Sequence, residues 1–308
     1  MTESAEGKSN HAPLTFTHLG AAGWSITDGK TVILMDPYLS RVRFQGRRFG
    51  PADATTVPGD TRPLIKMTDP PQYDTQTIDT HVPKADYILV THTHFNHCMD
   101  VPYIARKTGA KIIGSESTIN VALNGEVPED QLYAVKGGED YAFPELSLKV
   151  IPSLHSALSC KLYRDFGTVQ NINRPLCLDE YVEGGTFGYL LRFAGREILL
   201  FGSMNYIERE VEGLRPDAAF IASSSPRLEI HAYTERLMRA LGNPRIVVAT
   251  HWDDQGLPFG AAQERALAGT KSFIDEVKAV APDTRVVVPL HFEPFTWGAD
   301  DQIHVVKG

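Results

Sequence analysis

The sequence lacks several features that would place a chain in a special class of proteins. It has no uninterrupted apolar run of about 18 residues, so it predicts no membrane-spanning helix. Its three cysteines are an odd number and lie far apart, which argues against a disulfide framework and favours a reducing compartment. Glycine and proline, at 25 and 20 residues, are too few for a collagen-like or low-complexity chain.

Basic charge is also scarce. The 30 Lys and Arg residues are outnumbered by 38 Asp and Glu residues, which gives a formal net charge of -8 at pH 7. Binding to nucleic-acid phosphates needs a basic face, so we do not expect a nucleic-acid partner. Residues 1–13 are polar and lack the apolar core of a signal peptide, and we expect them to form a disordered tail. Together these patterns favour a cytoplasmic protein.

The rest of the chain alternates between strand-like and helix-like patterns. Its 308 residues, 42% of them hydrophobic, are enough for a core of ordinary size. Apolar runs of strand length recur along the chain, and residues 101–107, 234–241 and 261–280 have helical spacing. Asp28-Gly29, between two strand patterns, predicts a hairpin with a type I′ turn. The sequence therefore predicts a mixed α/β (α+β) fold.

Five of the predicted strands end in a polar or histidine-bearing step. Rigid sheets of α/β scaffolds present ligand groups on loops at strand ends, so we expect the functional site there. The side chains that follow these strands are His92, His155, Ser203, His251 and His291.

Residues 40–81 interrupt the regular pattern. The segment is rich in Pro, Thr, Asp and Arg and shows no sustained period. Loops of this length inside compact domains are typically lids, contact arms or disordered segments. Arg41, Arg43, Arg47 and Arg48 fall within eight positions, and guanidinium groups suit carboxylate or phosphate recognition. We expect this insertion to lie over the active site or at a homodimer contact; the alternative is a surface excursion with solvated arginines.

His92, His94 and His97 form the pattern H-x-H-x-x-H directly after a buried strand. Imidazole is the commonest side-chain metal ligand at neutral pH, because it offers a lone pair on a neutral ring. Chance would produce this pattern only about 0.014 times in a chain with this histidine content. A metal site is therefore favoured over three surface histidines that cap a strand.

The later histidines are weaker signals on their own. A lone histidine at a strand end is more often a hydrogen-bonded core residue than a ligand. Combined with the first cluster, His155 and His251 supply the remaining corners of a four- or five-coordinate site. His291 is equally compatible with a place in the pocket and with a structural role.

The segment T-H-T-H-F-N-H, residues 91–97, resembles the H-x-H-x-D-H signature of the metallo-β-lactamase superfamily. The downstream order is also similar: His155 after a strand, a hairpin that ends at residues 201–204, and the step Thr250-His251. The opening L-G-A-A-G-W-S-I … I-L-M-D-P-Y resembles the branch that holds ascorbate-6-phosphate lactonases and N-acyl-phosphatidylethanolamine phospholipase D, with chlorothalonil hydrolytic dehalogenase as a neighbour. The resemblance implies one domain over residues 14–308, an αββα sandwich with metal ions at one edge between its sheets.

The chain departs from the family pattern at two metal-ligand positions. Asn96 stands where the family has an aspartate, and Ser203 stands at the position of the bridging aspartate, unless a two-residue shift places Asn205 there. Each change replaces an anionic oxygen donor by a neutral one, which should weaken a second ion severely. The nearby acids that can compensate are Asp100, Asp253 and Asp254.

Two further features are open to functional and structural interpretations. The resemblance places Asp36 near the metal, where its carboxylate would fix the tautomer of a ligand imidazole; otherwise it caps a turn. Trp24, Trp252 and Trp297 are candidates for an aromatic pocket, although most tryptophans simply pack.

The resemblance implies a zinc-dependent hydrolase. His92, His94 and His155 would hold one Zn²⁺, and a second ion at His97 and His251 is disfavoured. Zinc lowers the pKa of bound water towards ~7, which gives a nucleophile for a small-molecule ester, lactone, phosphodiester or aryl halide. The residues expected to act in catalysis are Asn96, Ser203, Asn205 and Asp36.

The alternative function is that of a degenerate family member, which binds a ligand or a partner without turnover. A third interpretation is that Asn96 is an introduced change that traps substrate.

Overall fold

The computed structural model describes residues 11–44, 57–158 and 160–305 of the chain. Its strands are Leu14–Gly20 (β1), Gly23–Thr27 (β2), Val32–Met35 (β3), Arg43–Phe44 (β4), Leu64–Ile65 (β5), Tyr87–Leu89 (β6), Lys111–Gly114 (β7), Leu132–Ala134 (β8), Asp140–Ala142 (β9), Ser147–Pro152 (β10), Phe187–Phe193 (β11), Arg196–Phe201 (β12), Ala218–Ala222 (β13), Ile246–Thr250 (β14), Arg285–Val287 (β15), Phe295–Trp297 (β16) and Ile303–Val305 (β17). Its α-helices are Thr75–His81 (α1), Phe95–Cys98 (α2), Val101–Thr108 (α3), Glu116–Asn124 (α4), Glu208–Val211 (α5), Tyr233–Ala240 (α6) and Glu264–Val280 (α7).

Two large sheets organise these strands. The first sheet has the order β17-β16-β1-β2-β3-β6-β7-β8, and the second has the order β15-β14-β13-β12-β11-β10-β9. Both are mixed: β1, β2 and β3 pair antiparallel, whereas β3, β6, β7 and β8 pair parallel. In the second sheet β10, β11 and β12 are antiparallel and the strands from β12 to β15 are parallel.

The alternation of side chains along β3 shows how the sequence builds layers. Ile33 and Met35 belong to the apolar cluster between the two sheets, whereas Leu34 belongs to the cluster on the outer face of the first sheet. Successive side chains of a strand point to opposite faces, so a continuous apolar run is the pattern of a strand that is covered on both sides.

Aromatic side chains fill the space between the sheets. Phe16 stacks on Phe295 of the same sheet, with ring centroids 5.0 Å apart, and meets Phe220 of the second sheet at 5.4 Å. Trp24 contacts Phe220 edge-on at 4.8 Å. These contacts join the two sheets into a single core.

Helices cover the outer faces of both sheets. Helix α3 buries Val101, Ile104 and Ala105 against the first sheet and ends at Gly109, whose φ of 76° suits a residue without a Cβ. Helices α6 and α7 cover the second sheet, and their apolar side chains join its outer cluster. The layers are helix, sheet, sheet and helix, which confirms the predicted αββα fold.

The predicted hairpin after β2 is present, but its turn differs from the prediction. Gly29 has a φ of 89°, whereas Asp28 is not among the described residues with positive φ, so the turn is not type I′. The Asp28 side chain instead accepts hydrogen bonds from the backbone N–H groups of Lys30 and Thr31, at 2.9 and 2.8 Å. Four residues therefore connect β2 to β3.

The insertion at residues 40–81 is described in part. Strands β4 and β5 pair in parallel as a separate small sheet, and helix α1 begins after Asp74, whose side chain accepts from Thr77 N at 3.0 Å. Residues 45–56, with Arg47 and Arg48, lie outside the described residues, as do residues 1–10 of the expected tail. No helix within the described ranges combines the length and the apolar character that crossing a membrane requires.

Candidate metal centre

The loop after β6 carries the first three histidines and is tied down at two points. Thr91 N donates to Asp36 Oδ1 at 2.7 Å, and Thr93 N donates to the carbonyl of Glu183 at 2.9 Å. His94 then precedes the single turn of α2, which contains His97. A loop fixed in this way holds its imidazoles in place before any ligand binds.

His92, His94 and His155 converge from two different sheets. One ring nitrogen of each lies within 4.8 Å of the others, and the ring centroids are 4.6 to 5.0 Å apart. The Nε2 atom of His92 is buried and has no hydrogen-bond partner in the described part of the chain. Leaving a buried polar atom unsatisfied is unfavourable, so this nitrogen fits a ligand of a metal ion.

The loop after β10 fixes the orientation of His155. His155 Nδ1 lies 2.8 Å from the carbonyl of Ser156, which leaves Nε2 as the metal-binding nitrogen. Ser203 Oγ accepts from Ser156 N at 2.9 Å, and Asn205 Nδ2 donates to the carbonyl of His155 at 3.2 Å. Ser203 and Asn205 therefore both hold the loop that presents this histidine.

His97 and His251 lie beside the first three histidines. The ring centroid of His97 is 3.8 Å from that of His92 and 5.1 Å from that of His251. His97 Nδ1 lies 2.8 Å from Asp36 Oδ2, and Asp36, His92 and His97 form a second group whose potential ligand atoms are within 4.8 Å of one another. Asp36 Oδ2 also accepts from the hydroxyl of Thr91, so this carboxylate is engaged with its neighbours.

Burial sets the protonation of these groups. It lowers the pKa of His92 and His97 well below the usual value for histidine, and the surrounding imidazoles lower both further. Burial also lowers the pKa of His155 and His251. All four rings are therefore neutral at pH 7 and present lone pairs. Burial raises the pKa of Asp36, and hydrogen bonds from Thr91 oppose that increase only in part.

A cavity of about 820 Å³ opens at this edge of the two sheets. His94, His97, His155 and His251 line it, together with Asn96, which is 8% exposed. Ser156 also lines the cavity; its Oγ is buried and has no hydrogen-bond partner among the described residues. Such a cavity is large enough to enclose a small organic molecule next to the histidines.

Asp100 and Asp253, two of the three acids expected to compensate as metal ligands, are engaged with other partners, and the third, Asp254, is exposed. Asp100 accepts from the backbone N–H groups of Leu39 and Ser40 at 2.6 and 2.9 Å, and burial raises its pKa to about 6. Asp253 lines the cavity, but its carboxylate pairs with Arg41. Asp254 lines the cavity and is exposed.

The remaining candidates pack outside the cavity. His291 Nε2 lies 2.8 Å from Asp253 Oδ2, and its ring stacks on Trp252 with centroids 5.7 Å apart. Trp24 and Trp297 belong to the core between the sheets. None of these four residues lines the cavity, so their contacts in the structure are packing contacts and hydrogen bonds.

Comparison with known proteins identifies the family to which the sequence is similar. The sequence profile of the beta-lactamase superfamily domain matches residues 15–251. A metal-dependent hydrolase (UPF0173) of Oenococcus oeni is 28% identical over 146 residues, which cover 46% of this chain and 50% of that protein. The match to a second such hydrolase, from Myxococcus xanthus, covers 25% of that protein. The chain therefore spans half or less of the length of these two relatives.

Solved structures show the same architecture at low identity. Igni18, a metallo hydrolase from Ignicoccus hospitalis, has a TM-score of 0.53 and 18% identity, with 92% of this chain and 98% of that chain covered. CmlA, a diiron β-hydroxylase from Streptomyces venezuelae, also has a TM-score of 0.53, at 15% identity, with 92% and 53% covered. The likeness concerns the fold alone, and these two proteins differ in activity.

Proposed function

The chain belongs to the beta-lactamase superfamily, and from this premise we propose that it is a metal-dependent hydrolase of small molecules. The observation that carries the proposal is the convergence of His92, His94 and His155 beside an 820 Å³ cavity, which His94 and His155 line. The buried, unpartnered Nε2 of His92 supports it, because a metal ion would satisfy this nitrogen. The metal-dependent hydrolases that the chain resembles support the same class of reaction.

We favour one zinc ion at this position. Three imidazoles match the three-histidine donor set of catalytic zinc. When bound, zinc supplies Lewis acidity that lowers the pKa of a water ligand towards ~7. Around His97 and His251, Asn96 and Ser203 provide only neutral oxygen donors, and Asp36 is engaged with Thr91 and His97. A second dication there would lack the carboxylates that offset repulsion between two ions.

The other polar groups have distinct roles in this proposal. Asp36 accepts from His97 Nδ1 and so leaves His97 Nε2 as the lone pair that can accept a proton. Asn96 presents an amide to bound substrate at the cavity wall. Ser203 and Asn205 act as positioning residues of the His155 loop, and the direct catalytic roles expected for them stay predictions.

One observation favours a second function, binding without turnover. Asn96 and Ser203 replace two family carboxylates, and a protein that had lost catalysis could keep its three-histidine ion for ligand binding.

The cytoplasmic location and the homodimer expected from the sequence also stay predictions.

Metal content and activity of the same preparation test the proposal. We expect about one zinc per chain by elemental analysis, and zinc-dependent hydrolysis within a panel of esters, lactones, phosphodiesters and aryl halides. Dipicolinate should abolish the hydrolysis and added zinc should restore it. Stoichiometric zinc with no hydrolysis anywhere in the panel would instead support the binding function.

Two variants supply the matched comparison. His155→Ala removes one of the three converging imidazoles and should lower both zinc content and hydrolysis. His231→Ala changes an exposed histidine that is not part of the cavity and should leave both unchanged. Equal zinc content and equal hydrolysis in the two variants would contradict the proposed site.

A further inference from the structure

Four large exposed apolar side chains lie on two segments that also supply residues of the cavity wall. Phe166 is 73% exposed, Leu228 66%, Leu162 50% and Tyr163 47%. The segments are the loop of residues 160–166 and the 3-10 helix Ser225–Glu229. Large apolar groups clustered in water mark surfaces that bind something, whereas single exposed ones need no explanation. We refer to Leu162, Tyr163, Phe166 and Leu228 as the apolar collar.

The collar residues are close in sequence to residues that line the cavity. Arg164 and Asp165, between Tyr163 and Phe166, line the cavity, and so does Pro226, two residues before Leu228.

The collar loop and the 3-10 helix are also joined to each other and to the site. Lys161 Nζ lies 2.9 Å from Glu229 Oε2, and Cys160 N donates to Glu229 Oε1 at 3.3 Å. Tyr163 OH accepts from Asn205 Nδ2 at 3.3 Å, and the same amide group holds the carbonyl of His155. The collar is thus continuous with the loop that presents a histidine of the metal centre.

The described side chains that line the cavity offer no excess of positive charge to an anionic ligand. Three carboxylates, those of Asp165, Asp253 and Asp254, accompany one guanidinium, that of Arg164, among the described lining residues. The buried guanidinium of Arg41 is paired with Asp253. With Asp253 paired, Asp165 and Asp254 face Arg164 alone, so the proposed zinc ion would be the main source of attraction for a phosphate or carboxylate group.

From the collar and the lining charges together, we propose that the substrate is an uncharged ester or lactone with an apolar chain or ring, whose apolar part is bound by the collar. The proposal rests on the proposed hydrolase function. The histidines then face the polar reacting group at the cavity floor, while Phe166 and Leu228 contact the apolar part at its mouth. The apolar portion of the substrate covers side chains that are otherwise in water, so affinity rises with its length.

A homologous series of substrates tests this arrangement. With the zinc-loaded protein, kcat/KM for p-nitrophenyl acetate, butyrate, hexanoate and octanoate should rise with chain length, by up to about fourfold for each CH₂ that the collar buries. Bis(p-nitrophenyl) phosphate, an anionic diester, should be hydrolysed more slowly than the octanoate. Phe166→Ser and Leu228→Ser should each flatten the dependence on chain length.

Matched control variants are available on the same chain. Tyr141→Ser on β9 and Leu267→Ser on α7 remove apolar side chains that are 40% and 38% exposed and lie on elements that contribute no residue to the cavity. Both should keep the chain-length dependence of the unmodified protein. A dependence that is flat in the unmodified protein, or that survives in both collar variants, overturns the proposal while the hydrolase function stands. Preference for the anionic diester also overturns it.

A binding measurement separates failure of the collar from failure of the hydrolase function. N-phenyl-1-naphthylamine, an uncharged fluorescent probe, should bind the unmodified protein and lose affinity in both collar variants. If no ester is hydrolysed but the probe behaves in this way, the hydrolase function fails and the collar stands as an apolar binding site. If collar variants convert a dimer into a monomer in sedimentation and leave probe binding unchanged, the collar is an interface between copies and the proposal is overturned.

Discussion

Arg41 and Asp253 form a buried ion pair beside the metal centre, with Nη1 and Oδ2 2.5 Å apart and side-chain exposures of 1% and 0%. The guanidinium also donates to the carbonyls of Leu257 and Asp254, at 2.8 and 2.6 Å. Asp253 follows His251 by two residues and lines the cavity. Arg41, at the start of the insertion, therefore fixes the loop that forms one wall of the site.

Removal of this guanidinium should destabilise the fold. In Arg41→Met, Asp253 loses its closest cationic partner inside the protein, and breaking a buried pair typically costs about 3–5 kcal/mol. The free energy of unfolding in urea measures the loss. Arg209→Met is the control, since Arg209 is 84% exposed and its pair with Glu210 should contribute less than about 1 kcal/mol. Equal losses in the two variants would contradict the role assigned to Arg41.

Asp36→Asn should weaken metal binding without removing any proposed ligand of the first ion. The amide has only one acceptor oxygen to replace the carboxylate, which receives hydrogen bonds from Thr91 and His97. Asp36 acts on a proposed ligand through Thr91, whose Oγ1 lies 3.2 Å from His92 Nδ1. Loss of a carboxylate that supports ligand histidines typically lowers metal affinity or activity about 10–100-fold. Zinc affinity by chelator competition is the measurement.

Asp86→Asn is the matched control for that change. Like Asp36, Asp86 accepts a hydrogen bond from a backbone N–H group, since Val32 N donates to Asp86 Oδ2 at 2.8 Å. Asp86 is not part of either histidine group of the site. Its substitution should leave zinc affinity unchanged. A similar loss of affinity in both variants would mean that Asp36 acts through general stability.

Local signals in the sequence were sufficient for the central elements of the fold. The apolar runs of β3, β6, β13 and β14 are buried on both faces, and they predict strands without reference to distant residues. The three-residue strands β8, β9, β16 and β17 escaped prediction, because so short a run carries little periodicity. Helix α4 was also missed, although Ser115 caps it by accepting from Thr118 N at 3.2 Å.

The metal centre also has features that the sequence predicts and features that only the structure shows. His92, His94 and His97 are contiguous in sequence, so their motif is visible without a structure. Arg41 and Asp253 are 212 positions apart in the sequence, and the local pattern around either residue does not predict the other as its partner. The sequence does not decide whether Ser203 and Asn205 act in catalysis or support the site. Their contacts with the His155 loop depend on tertiary packing, so they become visible only in the structure.

His18 should make stability depend on pH below neutrality. Burial lowers the pKa of His18 to about 4, whereas the unfolded chain titrates near 6.5. Because the unfolded state binds the proton more readily, the contribution of His18 is full above pH 6.5 and is lost as the pH falls towards 4. Between pH 7 and pH 5, His18→Gln should lose about 2 kcal/mol less unfolding free energy than the unmodified protein.

Urea unfolding at the two pH values measures this difference, and the other buried histidines cancel because both proteins contain them. His304→Gln is the control, since His304 is 57% exposed and its pair with Asp300 lies on the surface. Its pH dependence should match that of the unmodified protein. An unchanged pH dependence in His18→Gln would show that His18 does not titrate in this range.

The last prediction concerns Asn96, which lines the cavity with His97 and His251. Asn96→Asp adds an anionic donor of the same shape to a position built of neutral groups, so a second zinc ion should bind more tightly while packing hardly changes. Adding Ser203→Asp should raise that affinity by more than the sum of the single changes, since residues that share one ion are coupled. Zinc titration against a chelator measures both variants. Asn171→Asp, an exposed amide, is the control and should leave the stoichiometry unchanged. If neither cavity variant takes up a second ion, Asn96 and Ser203 do not occupy the positions of the family carboxylates.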